Sequence, residues 1–196
     1  MQSFYCVAEK DLIGYGKGRN AIISYLYNYL VNLPIKPKKL VLYCDNCVSQ
    51  NKNIYILSFC HWIVFSQRLF EEVDINFLIP GHTKFSPDRH LGYAKMALNQ
   101  SDNVETFIDA MQVISESAKK QIVKPTRNFN DDLQNVRVYN WKKFLLGKYS
   151  RPSSRLRLFT SHFFRVKRDN PKIEYRTYHD SDQCLLNSSK ITKMLH

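Results

Sequence analysis

Acidic residues are scarce in this chain, which carries 17 Asp and Glu against 29 Lys and Arg, for a net charge of +12. Between Leu133 and Arg176, 12 basic residues stand against only Asp169 and Glu174. A sustained basic stretch of this kind indicates a polyanion partner, most often nucleic acid. The alternative is a basic face that is merely solvated.

Long apolar runs are also missing. No segment approaches the roughly 18 uninterrupted apolar residues that a membrane-spanning helix requires. The first residues, MQSFYCVAEKDL, do not have the basic-then-apolar order of a signal peptide. We therefore expect no membrane partner and a soluble protein in the nucleus or elsewhere inside the cell.

Cysteine is limited to five residues, an odd number, in a chain without a recognisable secretory signal. This count argues against a disulfide framework and for reduced thiols. Internal repeats and low-complexity segments are absent as well. With 196 residues, of which 44% are hydrophobic, the chain is long enough for one substantial core or for a domain with an appendage.

The stretch from Leu40 to Lys95 has the pattern strand, acidic turn, helix, strand, acidic turn, helix. Its two strands, 40–44 and 75–79, are predicted to be buried and parallel because they are short, continuous apolar runs. Asp45 and Asp88 each follow one of these strands. Ligands and metal ions lie outside the carboxyl ends of strands in open α/β sheets, so we expect both carboxylates to converge there.

The flanking segments predict further elements from apolar periodicity and turn residues. Before the stretch we expect a strand at 3–7 and a helix at 19–31. Within and after it, helices are predicted at about 51–69, 87–99, 104–122 and 141–146, and strands at 136–139, 156–166 and 173–178. The first of these helices has candidate N-caps in Asn46, Ser49 and Asn51. The last two strands flank a hairpin turn at 168–171.

Carboxylates at the ends of adjacent strands suit a divalent-metal site, because Mg²⁺ prefers carboxylate oxygens. Two such ions can activate an attacking oxygen and stabilise a leaving one in phosphodiester chemistry. Asp45 and Asp88 are 43 residues apart, which leaves room for the helix and strand of a parallel crossover. The alternative is a purely structural role, in which Asp45 and Asn46 only cap a turn.

Two other chemistries are open at this turn. Cys44 and Cys47 form a CxxC at a strand-to-helix junction, where a helix N-terminus lowers a thiol pKa, although the surrounding pattern differs from that of a thioredoxin. Zinc would use the same pair with further ligands, yet the sequence has no second paired ligand module. The candidate further ligands are Cys60, His61, His82 and His90.

The string Asp45-Asn46-Cys47-x-x-Gln50-Asn51-Lys52-Asn53, followed by Pro80-Gly81-His82-Thr83 and Pro87-Asp88-Arg89, resembles the DNCxGQNKN…GH(T/S)…DRxFG signature of transposon-derived animal proteins. That family looks like a DDE-type transposase or integrase domain with an RNase H-like fold. Two positions depart from the signature: Ser49 replaces the customary Gly, and Leu91 replaces the Phe.

The resemblance implies three acidic ligands for Mg²⁺ or Mn²⁺. Asp45 and Asp88 match two of them, whereas the first-strand aspartate would lie before Met1. Glu9 is the nearest substitute, and we interpret the chain as truncated or degenerate in its catalytic triad. Asn46 and His82 are expected to support the metals. Contacts to nucleic acid are expected from Lys52, Gln50 and Asn53 at the helix mouth and from Arg155, Arg157, Arg165 and Lys167 in the basic hairpin.

The sequence thus predicts a mixed α/β chain. Residues 1–125 would form a three-layer RNase H-like domain, and residues 126–196 a small basic α+β extension. The expected ancestral function is Mg²⁺-dependent DNA strand cleavage and transfer. A non-catalytic nucleic-acid-binding module is the first alternative, and a CxxC oxidoreductase is the second.

Overall fold

The computed structural model describes residues 2–6, 18–78, 86–118, 121–125, 136–148, 158–177 and 184–186. The chain forms two compact units. The smaller unit comprises residues 1–16 and 83–138, and the larger unit comprises residues 17–82 and 139–196. Along the chain the elements are β1 (Gln2–Cys6), α1 (Arg19–Val31), β2 (Lys39–Cys44), α2 (Ile54–Phe65), β3 (Glu72–Phe77), α3 (Ser86–Gln100), α4 (Phe107–Glu116), β4 (Gln121–Pro125), α5 (Trp141–Lys148), β5 (Phe163–Lys167), β6 (Asn170–Arg176) and β7 (Cys184–Leu186).

The larger unit contains a five-stranded mixed sheet in the order β2-β3-β5-β6-β7. β2 and β3 are parallel, as predicted, and pair from Lys39 opposite Glu72 to Cys44 opposite Phe77. β5, β6 and β7 continue the sheet in antiparallel fashion. The mixed α/β class and the parallel strand pair are therefore confirmed.

The core of the larger unit lies between one face of this sheet and α2. Ten of the twelve residues of α2 are buried. A helix that is apolar on every side is a buried helix. Strands β3 and β5 contribute alternate residues to the same core, among them Ile75 and Phe164, both fully buried. α1 and α5 supply Ile23, Leu30, Trp141 and Leu145 to it.

β2 differs from the prediction of a buried strand. Its residues alternate between exposed and half-buried, with Val41 at 42% and Tyr43 at 64% exposure. Among the described residues β2 is paired on one side only, with β3, so it is an edge strand of this sheet. The apolar run alone could not distinguish an edge strand from a central one. In either position Leu40 and Leu42 would face the core, and the run does not show whether a further strand covers the other edge.

The predicted hairpin is present as β5 and β6. It belongs to the same sheet as β2, the strand that ends just before Asp45. β5 hydrogen-bonds to β3 from Glu72 opposite Lys167 to Asn76 opposite Phe163. The reason is that Phe164 and Val166 are fully buried against the same core as Ile75. Residues 136–139, predicted as a strand, contain no strand. The domain boundary near residue 125 stays a prediction.

In the smaller unit, β1 and β4 form a parallel two-stranded sheet. α4 begins with a reciprocal capping box between Thr106 and Asp109 and is shorter than the predicted helix over 104–122. The chain is extended from Gln121 because it pairs with β1 there, a long-range contact that helical periodicity does not encode. No helix in the described part of the chain is long and apolar enough to cross a membrane.

Candidate functional site

The loop over residues 45–53, here called the acidic loop, joins the carboxyl end of β2 to α2. Its turn is built on the carbonyl oxygen of Cys47, which accepts hydrogen bonds from the N–H groups of Gln50, Asn51 and Lys52 at 3.2, 2.7 and 3.0 Å. The N–H of Leu78 donates to the carbonyl of Cys44 at 2.9 Å, so the loop begins beside the end of β3. This is the edge of the sheet where a ligand was expected from the sequence.

Asp45 is exposed, and its two carboxylate oxygens differ in their contacts. Oδ1 accepts from the N–H of Cys47 at 3.0 Å and from Nδ2 of Asn51 at 2.6 Å. Oδ2 has no hydrogen bond to any described residue. One oxygen therefore fixes the side chain, while no residue in the described part of the chain engages the other.

Asn51 is the residue that orients Asp45, a role that the sequence had left open among Asn46, Gln50 and Asn53. Asn46 instead donates through Nδ2 to the carbonyl of Leu78 and accepts from Nζ of Lys52 at 2.9 Å. It ties the acidic loop to the end of β3. The string QNKN contains both Asn51 and Asn53. Residue type alone could not show which of these two asparagines orients Asp45.

Lys52, predicted to contact phosphate, is buried at 3% exposure. Its ammonium group lies 5.3 Å from the centre of the Phe77 ring and bonds to Asn46. Burial lowers the pKa of Lys52 because desolvation disfavours the charged form. In this arrangement Lys52 is a buried residue that stabilises the loop through Asn46, and its ammonium group is not exposed to a phosphate.

Asn53, also predicted to contact phosphate, is the N-cap of α2, in place of the three caps proposed from the sequence. Its Oδ1 accepts from the N–H groups of Tyr55 and Ile56 at 3.0 and 3.2 Å. Its Nδ2 donates to the carbonyls of Val48 and Gln50 at 3.2 and 2.9 Å. The N–H groups that Asn53 caps are not available to a phosphate, and the predicted contact of the Gln50 side chain stays a prediction.

A cation that the sequence reading missed lies at the start of α2. The guanidinium of Arg19 is 4.6 Å from the centre of the Tyr55 ring. Gly18 precedes it, and a Cβ there would lie 3.8 Å from the carbonyl oxygen of Ser49 in the acidic loop. The N-terminus of α1 is thus beside the loop. The string GKGRN before α1 was the available signal for it.

Asp88 lies in the first turn of α3, as predicted, but its side chain is outside the described residues. The positions Glu9, His82, Arg155 and Arg157 also lie outside them. Whether Asp88 or Glu9 shares a site with Asp45 stays a prediction. Within the described part of the chain, no three His, Cys, Asp or Glu residues are grouped so as to hold a metal ion.

The cysteines near the loop differ in their environments. Burial, with a contribution from the Asp45 charge, raises the pKa of Cys44 to about 12. Cys47 lies with its Sγ 3.3 Å from Oγ of Ser49, and Cys60 is fully buried. A redox or zinc site at this CxxC would need the thiolate of Cys44, which its raised pKa disfavours; both cysteine alternatives stay predictions.

Part of the positive charge of the basic hairpin is paired with acidic side chains of the same sheet. Arg165, predicted to contact nucleic acid, forms a bidentate pair with Asp74 at 2.6 and 2.9 Å. Lys39 also reaches Asp74, at 2.8 Å. Phe163 shares the face of Arg165, whose guanidinium is 5.0 Å from its ring centre. Lys167 is half-exposed and stays a predicted contact.

Fold and loop together define a mixed α/β protein with an acidic loop at the carboxyl end of a parallel strand pair. The chain matches the family model described as Domain of unknown function (DUF7869) over residues 5–183, and it belongs to this family. Comparison with curated proteins gave no match. Comparison with solved structures gave none either.

Proposed function

We propose that this protein is derived from a transposase and that its acidic loop supports divalent-metal-dependent cleavage and transfer of DNA strands. One observation supports the proposal most strongly. Asp45 is held at the carboxyl end of β2 by two donors on Oδ1 while Oδ2 has no hydrogen bond to a described residue. A carboxylate oriented in this way is suited to bind a hard cation.

The residues near Asp45 fit Mg²⁺ or Mn²⁺ in their chemistry. The loop presents an exposed carboxylate and amide oxygens, which matches the oxygen preference of these ions. Such ions, when bound, supply activation of the attacking oxygen and stabilisation of the leaving one. Asp88 and Glu9 are the proposed partners of Asp45, within an RNase H-like arrangement of the strands.

The chain's own residues would keep the site in its working geometry. Asn51 and the N–H of Cys47 fix Asp45 against rotation, and Asn46 fixes the loop to the end of β3. Pre-orientation of this kind lowers the entropy cost of binding. The excess of positive charge would attract the DNA backbone, with Arg155, Arg157 and Lys167 as the proposed phosphate contacts in a nuclear protein.

A second candidate is a nucleic-acid-binding module without cleavage activity. It is favoured by the charge of the chain, which has 12 basic residues against two acidic ones between Leu133 and Arg176. It keeps the DNA-binding role of the basic residues and removes the need for a complete carboxylate triad. A metal-binding and cleavage experiment separates the two candidates.

The experiment measures Mn²⁺ binding by calorimetry and nicking of supercoiled plasmid by the full chain. Asp45→Asn should weaken Mn²⁺ binding by about ten-fold or more, because a charged ligand becomes a neutral one. Asn51→Ala should weaken it less, through loss of orientation. Asp169→Asn is the matched control, since Asp169 is an exposed acid of the same unit and should leave Mn²⁺ binding unchanged.

Three outcomes are informative. Nicking that disappears in Asp45→Asn supports the enzyme. DNA binding without nicking in the wild-type protein supports the second candidate. Equal Mn²⁺ affinity in the wild-type protein and Asp45→Asn would contradict the proposed site.

A further inference from the structure

An aromatic groove of about 310 Å³ lies on the helical side of the larger unit, formed by side chains of α1, α2 and the start of α5. Trp62 and Trp141 are buried at 7% and 4% exposure, while Tyr139 and Phe144 are 42% and 38% exposed. Buried rings thus form the floor and half-exposed rings the rim. The lining residues are Tyr27, Trp62, Tyr139, Asn140, Trp141 and Phe144.

The floor of the groove is held in place by contacts that do not involve a ligand. Oγ of Ser24 accepts from Nε1 of Trp141 and from the N–H of Tyr139, both at 2.9 Å. The rings of Trp62 and Trp141 meet edge to face at 5.3 Å, and Phe144 meets Trp62 in the same way at 5.4 Å. The aromatic surface is therefore preformed, which reduces the entropy that a ligand must lose on binding.

Charge around the groove has one sign. The segments that line it, residues 19–33, 54–65 and 139–148, contain Arg19, Lys142, Lys143 and Lys148 and no Asp or Glu. All three lysines are exposed, and Nζ of Lys148 lies 5.1 Å from the ring centre of Phe144. This charge disfavours a cationic ligand, such as a methylated ammonium group, and favours an anionic one.

Asn140 adds a polar group at the same place. Its Oδ1 accepts from the N–H of Lys143 at 3.0 Å and so caps α5. Its Nδ2 donates to no described residue. The groove therefore combines half-exposed rings, an amide donor and nearby lysines, which are the three elements that bind bases and phosphates of unpaired strands.

We propose that this groove binds single-stranded nucleic acid, with bases stacked on Tyr139 and Phe144 and the backbone phosphates near Lys143 and Lys148. Paired bases in a duplex are stacked on one another and cannot reach the rings, so the site selects unpaired strands. The inference goes beyond the proposed function, because the groove does not include Asp45. It holds whether or not the acidic loop binds a metal.

The test uses a fluorescein-labelled twelve-residue oligothymidylate, in EDTA so that metal ions cannot contribute. Binding is followed by anisotropy and by quenching of tryptophan fluorescence. Trp62 and Trp141 are the two tryptophans of the chain, and both line the groove, so quenching reports this site directly. The wild-type protein should bind the single strand and bind a duplex of equal length at least about five-fold more weakly.

Tyr139→Leu and Phe144→Leu each keep an apolar side chain but remove a stacking ring. Each should weaken binding by about five-fold or more, since stacking of one base on an aromatic ring is worth roughly 1–3 kcal/mol. Tyr29→Leu is the matched control: Tyr29 is a tyrosine of α1, 41% exposed, that does not line the groove. Its affinity should equal that of the wild-type protein.

Lys143→Gln and Lys148→Gln provide a test that leaves every aromatic ring of the groove in place. Together they should reduce the salt dependence of binding by about one to two units of log–log slope, at about 0.7 per phosphate contact for single strands. Equal affinity in the groove variants and in Tyr29→Leu would overturn the proposal. So would duplex binding as tight as single-strand binding, or tryptophan quenching by a proline-rich peptide but not by the oligonucleotide.

Discussion

Replacing Asn53 with alanine should destabilise the larger unit by about 2.5–4 kcal/mol. The loss of an N-cap costs about 0.5–2 kcal/mol. Asn53 is also the donor of two bonds to loop carbonyls, and each such bond contributes about 1 kcal/mol net. Because the side chain is only 6% exposed, water cannot replace these bonds freely. The sum of these terms gives the expected range.

The assay is urea unfolding followed by tryptophan fluorescence. Both tryptophans belong to the larger unit, so the signal reports this unit and not the smaller one. Asn32→Ala is the matched control, since it is the same chemical change in the same unit at an exposed position. Its Nδ2 makes one bond, to the carbonyl of Asn28 at 2.8 Å, and its loss should cost less than about 1 kcal/mol.

Asn53→Asp divides the effect into its two parts. Aspartate keeps the cap acceptor and gains from the positive end of the helix dipole. It loses both donors and places a carboxylate oxygen against the carbonyls of Val48 and Gln50, so it should still destabilise the loop. If Asn53→Ala costs no more than Asn32→Ala, the idea that Asn53 braces the acidic loop is wrong.

Three further predictions follow from buried polar groups. Burial lowers the pKa of His61 to about 4, below the usual 6.5, so its stabilising effect is complete above pH 6.5 and is lost as the pH falls toward 4. The free energy of unfolding should therefore drop by about 2 kcal/mol from pH 8 to pH 5 through this residue, and His61→Phe should remove that part of the pH dependence. Asp74→Ala should cost about 2 kcal/mol in urea unfolding because it leaves the Arg165 guanidinium without its bidentate partner; an unchanged midpoint would contradict this role. In the folded protein at pH 8, iodoacetamide should alkylate Cys47 before Cys44, whose pKa burial raises to about 12, as mass spectrometry of the digested protein would reveal; the reverse order would refute the assignment.

Asp74 is a charged residue whose partners could not be predicted from the sequence. Burial acts to raise the pKa of Asp74, but the hydrogen bonds and charges of Arg165 and Lys39 outweigh it, and the pKa is lowered. Arg165 lies 91 positions and Lys39 lies 35 positions from Asp74 along the chain, so no local pattern links either of them to it. Arg165 was predicted to contact nucleic acid because a run of basic residues gives no sign of which of them pair internally.

Local patterns predicted much of the secondary structure. The periodicity of α1 gave its bounds, Arg19–Val31, and two short apolar runs gave the parallel pair β2 and β3. The turn residues at 168–171 correctly predicted the hairpin of β5 and β6. These features depend on side-chain period and on backbone preferences of neighbouring residues, which the sequence expresses directly.

For the candidate site, the sequence by itself determined the position of the acidic loop, because Asp45 directly follows an apolar strand and precedes an apolar helix. Only the tertiary structure decided what each polar residue of that loop does. Asn51, Lys52 and Asn53 are consecutive, yet the first orients Asp45, the second is buried over Phe77, and the third caps α2. The reason is that burial and hydrogen bonding are set by the neighbours that each side chain meets after folding, and a residue's type does not specify those neighbours.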